Sequence, residues 1–190
     1  MIRAFLALPL PDAVIAPLSL AQSRLRLPVP PARPVARENL HLTLVFLGEQ
    51  RPDMLEALHE ELALRQPAGF TLRLDGLGVF GGDRPHNLHA RVAPEPALSA
   101  LQARLDRAAR MQGMRPERRR FTPHVTLARL RPGDIGPAAL AGAIERVGAL
   151  DARPFAVDRF ALFRSHLRRD GAQYDMLAEY PLLPPHPLPG

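Results

Sequence analysis

The chain contains no cysteine and no lysine. Without thiols, disulfides, thiolate zinc sites, iron–sulfur clusters and cysteine nucleophiles are all excluded. The missing lysine changes how the charge is read: all 25 basic residues are arginine, and against 19 Asp and Glu they give a formal net charge of +6. Arginine beside abundant alanine, proline and leucine marks a GC-rich coding bias as much as an anionic partner, so where the arginines sit counts for more than their number. No apolar run approaches the ~18–20 residues that span a bilayer. The opening MIRAFLALPLPD meets a proline too early for a signal-peptide core, so a soluble cytoplasmic protein without membrane contact is expected. The composition is globular, with 46% hydrophobic and 23% charged residues. Its 190 residues suit one domain, or one domain assembled from two similar halves.

Periodicity predicts a buried strand over Ile2–Leu8 and a helix over Pro11–Leu25, followed by a proline-rich connection, Leu27–Pro34. A second apolar strand, Leu40–Leu47, is closed by Gly48, and Pro52 opens a helix reaching about Arg65. Two strands, Phe70–Phe80 and Asn87–Val92, flank the turn Gly81-Gly82-Asp83-Arg84-Pro85, and Ala97–Met111 reads as an amphipathic helix. The pattern then begins again, with a strand at Pro123–Leu130, a helix at Pro137–Val147 and strands at Phe155–Phe163 and Tyr174–Tyr180 around the polar turn Arg168–Gly171. This order predicts an α+β fold of two related lobes over residues 1–183, with a loose proline-rich tail at 184–190.

The repetition extends to individual residues. Asn39-Leu40-His41-Leu42-Thr43-Leu44 and Thr122-Pro123-His124-Val125-Thr126-Leu127 both carry His-x-Thr-Leu. On a strand His41 and Thr43 share one face while Leu42 and Leu44 point into the core, and the same holds for His124 and Thr126. A single histidine on a strand is more often a packing residue than a catalyst, but two copies in two similar halves are hard to obtain by accident. Halves related by a pseudo-twofold axis would set the two imidazoles facing each other across a cleft. Displacement at a phosphodiester needs a base on the attacking oxygen and an acid on the leaving oxygen, and imidazoles serve either role near neutrality. The threonine hydroxyls and a nearby arginine would hold the non-bridging oxygens. No Asp or Glu recurs in either motif, so neither a metal nor any other cofactor is expected.

These motifs resemble those of the 2H phosphoesterase superfamily. The surrounding words, Glu38 to Gly48 and Phe121 to Arg129, are similar to those of the LigT-like RNA 2′,3′-cyclic phosphodiesterases, formerly called 2′-5′ RNA ligases. Weaker echoes are Gly78-Val79-Phe80 with Arg84-Pro85, and Ser165, Leu167, Gly171, Tyr174 and Leu177. The resemblance implies a bilobal fold in which two antiparallel-rich sheets line a central groove with helices outside. It implies hydrolysis of a 2′,3′-cyclic phosphate, on RNA or a small cyclic nucleotide, to a 2′-phosphate by a monomer. His41 and His124 match the catalytic histidines, with His41 as acid and His124 as base; Thr43 and Thr126 match the phosphate-holding threonines. Arg129 matches a basic residue that approaches the phosphate, although strict alternation from His124 places it on the opposite face, so a bend must bring it round. The pseudo-symmetric position in the first lobe is Phe46.

Two other functions compete with hydrolysis. One is the reverse reaction, 2′-5′ RNA ligation, and the other a non-catalytic module that binds RNA ends, to which two intact His-x-Thr pairs are poorly suited. Where the family carries an aromatic after Arg84-Pro85, this chain has His86-Asn87-Leu88-His89, so His89 is either a groove residue or an ordinary one. The Arg115, Arg118, Arg119, Arg120 cluster and the Arg164–Arg169 stretch are either solvated loops or grips on an RNA backbone.

Overall fold

The structure is a computed structural model that describes residues 1–27, 32–117, 120–150, 152–168 and 171–184. Proline, at 22 residues, is used to start helices. Helix α1 (Asp12–Leu25) follows Pro11, while α2 (Pro52–Ala63), α3 (Pro96–Met111) and α4 (Pro137–Val147) each carry proline in the first turn, where its fixed φ and missing N–H cost nothing. Each helix buries one stripe: Val14, Leu18, Ala21 and Leu25 on α1; Leu55, Leu58 and Leu62 on α2; Leu98, Leu101, Leu105 and Ala108 on α3; Leu140, Ala143 and Val147 on α4.

Ten strands are described: β1 (Ile2–Pro9), β2 (Ala32–Pro34), β3 (His41–Gln50), β4 (Phe70–Leu72), β5 (Leu74–Phe80), β6 (Asn87–Val92), β7 (His124–Leu130), β8 (Phe155–Val157), β9 (Arg159–Arg168) and β10 (Gly171–Pro181). Seven run in the order β10-β9-β1-β3-β7-β6-β5, β2 pairs with β7, and β4 and β8 form a separate two-stranded sheet. The two halves of the large sheet meet at a single paired position, Leu42 opposite Val125, between β3 and β7. The fold is thus α+β: where two sheets were expected, one large antiparallel sheet has two halves that meet at a single paired position, with a small two-stranded sheet beside it and helices packed on the strands.

The repeat is phased differently from the sequence reading. The strand order matches β9 with β5, β1 with β6 and β3 with β7 about that junction, so the second copy begins at β6 rather than at Pro123. The last strand of each copy crosses over: β5 pairs with β6 of the second copy, and β9 with β1 of the first. Helices cross too, α1 packing on α4 and over β7, and α3 packing on α2 and over β3.

Two expected strands are each divided. Phe70–Phe80 breaks at Arg73 into β4 and β5, and Phe155–Phe163 breaks at Asp158 into β8 and β9; the detached pieces pair with each other through Phe70–Val157 and Leu72–Phe155. The buried alternation Phe70, Leu72, Leu74 runs unbroken through the first switch, so a period of two cannot reveal it. The connection after Leu27 holds the short strand β2, and β3 runs past Gly48 to Gln50. Gly48 has φ +74, at a bulge where β3 gains a residue on β1. Residues 28–31 of that connection, 169–170 of the polar turn and 185–190 of the tail lie outside the described residues.

Bulges shape both central strands. β3 gains a residue at Leu44-Val45 against β1, and β7 gains one at Leu127-Ala128 against β6. The adjacent residues are buried in both pairs, and alternation resumes in the opposite phase beyond them. The second bulge is pinned by α1: Gln22 Nε2 donates to the carbonyls of Val35 and Leu127, each at 2.8 Å, and the Val35 N–H donates to the same Leu127 carbonyl at 2.8 Å. Gln22→Leu removes both amide bonds, and the predicted cost is about 1–3 kcal/mol, seen as a lower urea midpoint at unchanged m-value. An unchanged midpoint would show that the bulge holds without this clamp.

Candidate active site

The pairing of Leu42 with Val125 sets His41 and Thr43 on either side of one residue and His124 and Thr126 on either side of the other. All four side chains lie on the face opposite the buried Leu42, Leu44, Val125 and Leu127. The bulge at Leu127-Ala128 supplies the bend that strict alternation lacked, returning the exposed Arg129 to the face of His124 and Thr126. The bulge at Leu44-Val45 does the same for Phe46, confirming it as the counterpart of Arg129: Phe46 faces Phe5 on β1, and Arg129 faces Asn87 on β6. The first half nevertheless has its own cation, since the Arg3 guanidinium lies 4.7 Å from the centre of the Phe46 ring. Arg3 was not singled out in the sequence, although its spacing of two from Phe5 puts both on one strand face.

The two imidazoles are held alike. Nδ1 of His41 lies 2.7 Å from the Asn39 carbonyl, and Nδ1 of His124 lies 2.7 Å from the Thr122 carbonyl. A carbonyl only accepts, so in both rings Nδ1 carries the proton and Nε2 is the acceptor. Tyr174 meets His41 edge to face, with centroids 5.2 Å apart at 90°, and Phe80 meets His124 at 4.9 Å and 90°. A second ring completes each wall, Phe5 at 5.0 Å from His41 and His89 at 5.1 Å from His124.

The hydroxyls differ. Thr43 Oγ1 lies 3.0 Å from His41 Nε2, whereas Thr126 Oγ1 accepts from Asn87 Nδ2 at 3.1 Å. Burial pushes His41 down to about 4; the Asn39 carbonyl pulls upward, while the positive charges of Arg129 and His124 add to the lowering. His124 is lowered by burial and by Arg129, against the pull of the Thr122 carbonyl. Arg129 therefore acts on both imidazoles from one place.

His89 is buried beside this cluster rather than lying in an ordinary surface position. Asn87, missed in the sequence, shares its strand face. Arg115, Arg120 and Arg164 are exposed, and residues 118, 119 and 169 lie outside the described residues. Among the described residues no three His, Asp or Glu side chains gather as a metal site, and no helix is long and apolar enough to cross a membrane.

Two imidazoles with Nε2 as the acceptor atom, two hydroxyls and a guanidinium on one sheet face suit an anion whose oxygens must gain and lose protons. The sequence profile of the 2′-5′ RNA ligase superfamily matches residues 11–169. The chain belongs to this superfamily. Among its similar proteins are two named RNA 2′,3′-cyclic phosphodiesterase: that of Thermus thermophilus is 33% identical, covering 97% of this chain and 92% of its own, and that of Escherichia coli is 36% identical, covering 79% and 80%. A third of the same name, from Geobacillus stearothermophilus, is 33% identical over 78% of this chain, which spans only 47% of that protein's length. A crystal structure of a Thermus thermophilus protein superposes with a TM-score of 0.79 at 32% identity, over 97% of this chain and 100% of that one. E. coli LigT complexed with 3′-AMP gives 0.73 at 28% identity, over 95% and 98%.

The neutral state of His41 has a cost that can be measured. Below its ordinary value of 6.5 the unfolded chain protonates this imidazole while the folded superfamily member resists until about 4. Stability is unaffected above 6.5 and falls as pH drops towards 4, by about 3 kcal/mol from this group alone. His41→Phe should remove that part of the slope in urea titrations run from pH 7.5 to 4. Equal acid losses in the variant and the wild type would contradict it.

Proposed function

We propose that the protein hydrolyses 2′,3′-cyclic phosphate ends of RNA, or small cyclic nucleotides, to 2′-phosphates without a metal. The observation that carries this reading is the pair of imidazoles, each held by a carbonyl bond at its own Nδ1 so that Nε2 is the proton-accepting atom. His124 takes a proton from the attacking water as its oxygen bonds to phosphorus. The P–O3′ bond breaks and His41 gives its proton to O3′, leaving a 2′-phosphomonoester and a 3′-hydroxyl. Thr43, Thr126 and Arg129 hold the non-bridging oxygens as their charge grows. All of these residues come from one chain, so a monomer is a complete enzyme, and an RNA substrate puts its work in the cytoplasm.

The depressed imidazoles fit this chemistry once the substrate is counted. A phosphate anion ~4 Å from an imidazolium contributes about 4 kcal/mol at an effective dielectric of 20, enough to bring the titration of a depressed imidazole back towards neutral pH. Binding the anion thus charges His41, the group that must donate.

The reading is tested by incubating the protein with a nucleoside 2′,3′-cyclic phosphate in EDTA and identifying the product by ³¹P NMR. A 2′-phosphate is expected, with His41→Ala and His124→Ala each losing ~10²–10⁴-fold in kcat. Binding without turnover would favour an end-binding module, and activity restored only by Mg²⁺ or Mn²⁺ would overturn the metal-free mechanism. Thr43→Ala and Thr126→Ala should lose roughly tenfold to a hundredfold, and Arg129→Ala at least as much. Equal kinetics for Arg129→Ala and wild type would remove the guanidinium from the mechanism.

The pH profile carries the sign of the electrostatics. Free His41 and His124 are both lowered, so the bell of kcat/KM should lie at lower pH than that of kcat, in which the bound anion raises both groups. Arg129→Gln removes a lowering charge from both and should shift the kcat/KM bell upward. A bell that does not move would contradict this.

A further inference from the structure

Thr43 and Thr126 do not share the same surroundings. β1 sets Phe5, Ala7 and Pro9 opposite Phe46, Thr43 and His41. β6 sets Asn87, His89 and Arg91 opposite Arg129, Thr126 and His124. The pseudo-twofold therefore matches Asn87 with Phe5 and His89 with Ala7. One half has an apolar pair where the other has an amide and an imidazole.

The hydrogen bonds follow this difference. His89 Nδ1 lies 3.2 Å from Asn87 Oδ1, and Asn87 Nδ2 donates to Thr126 Oγ1 at 3.1 Å. With Oδ1 taking the His89 proton, the amide turns its NH₂ to Thr126. That nitrogen can only donate, so Oγ1 must accept and its own proton is directed elsewhere, into the groove. Thr43 is committed differently, because a neutral His41 Nε2 accepts its proton. His89 itself is locked in place: it is 4% exposed and stacks on Phe80 with centroids 4.0 Å apart at 29°. It fits because residue 78 is glycine, where a Cβ would lie 2.8 Å from His89 Nε2. Burial, with the charges of His124 and Arg91, holds this imidazole neutral, at about 4.

We propose that Asn87 and His89 are positioning residues that commit the Thr126 hydroxyl to donate its proton to a phosphate oxygen in the groove. The inference rests on the reading of this groove as a phosphate site. It makes the two threonines unequal: Thr126 is a ready donor, and Thr43 becomes one when His41 is protonated. The opposite amide orientation would draw the Thr126 proton back into the strand, and Asn87→Asp imposes that arrangement.

The test is a double-mutant cycle of Asn87→Leu and Thr126→Val, read by kcat/KM on cytidine 2′,3′-cyclic phosphate and by calorimetric Kd for inorganic phosphate. Each single variant should weaken both by roughly tenfold, and the double variant should be no weaker than Thr126→Val. Multiplied losses in the double variant would overturn the proposal, because a residue that only supports the fold adds its cost regardless of Thr126. Should Asn87→Leu fail to fold, Asn87→Asp in the same cycle carries the test, and unaltered phosphate affinity in it would overturn the proposal. His89→Phe keeps the ring against Phe80 but loses the donor; it should loosen phosphate as Asn87→Leu does, and full affinity would remove His89 from the chain. A wild type that binds phosphate without turnover would sink the phosphodiesterase reading and leave the cycle interpretable, whereas one that binds no phosphate would sink both.

Discussion

Leu42 faces Val125 where the two halves of the sheet meet, and the groove depends on this one register point. Side chains alternate along a strand, so pairing the two buried residues forces the His and Thr beside each of them onto the same open face. A slip of either strand by one residue would turn its own imidazole towards the core and its buried Leu42 or Val125 to the open face. The register is held from outside, since α3 packs over β3 and α1 over β7, each helix clamping the strand of the other repeat. Joined at one ladder position, the halves bring both His-Thr pairs onto one face of the sheet.

Beyond the junction each strand inverts its phase through one inserted residue. Without the bulge at Leu127-Ala128, Arg129 would be buried on the helical side; with it, the guanidinium stands beside two imidazoles and lowers both. The equivalent bulge at Leu44-Val45 delivers Phe46 instead, and a cation returns through Arg3 stacked on it. The twofold frame thus supplies matched imidazoles, while the side chains opposite them, Phe5 and Ala7 against Asn87 and His89, make the two ends chemically distinct. Acid and base chemistry needs that distinction.

Much of this was legible in the residues. The apolar runs of β1, β3 and β7, the proline-started helices and the recurrence of His-x-Thr identified the central elements and the shared face of His41, Thr43, His124 and Thr126. The phase of the repeat was hidden because β6 lacks any counterpart of the Phe5 and Ala7 side chains. The sheet switches at Arg73 and Asp158 were hidden because burial alternates straight through the first of them. Bulges are defined by the partner strand, which no single-strand pattern contains, so the direction of Arg129 could be required by chemistry but not located. Asn87 was missed for a related reason, since its importance lies in facing across to β7.

The central claim is that two Nε2 atoms on twofold-related strands divide the work, His41 giving a proton to the leaving oxygen and His124 taking one from water. A cyclic phosphate analogue with sulfur in place of the bridging 3′-oxygen tests it most directly, because a thiolate departs without protonation. On this substrate the account predicts that His41→Ala recovers to within a few-fold of wild type while His124→Ala stays inactive. Recovery of His124→Ala alone, or of neither variant, would contradict it.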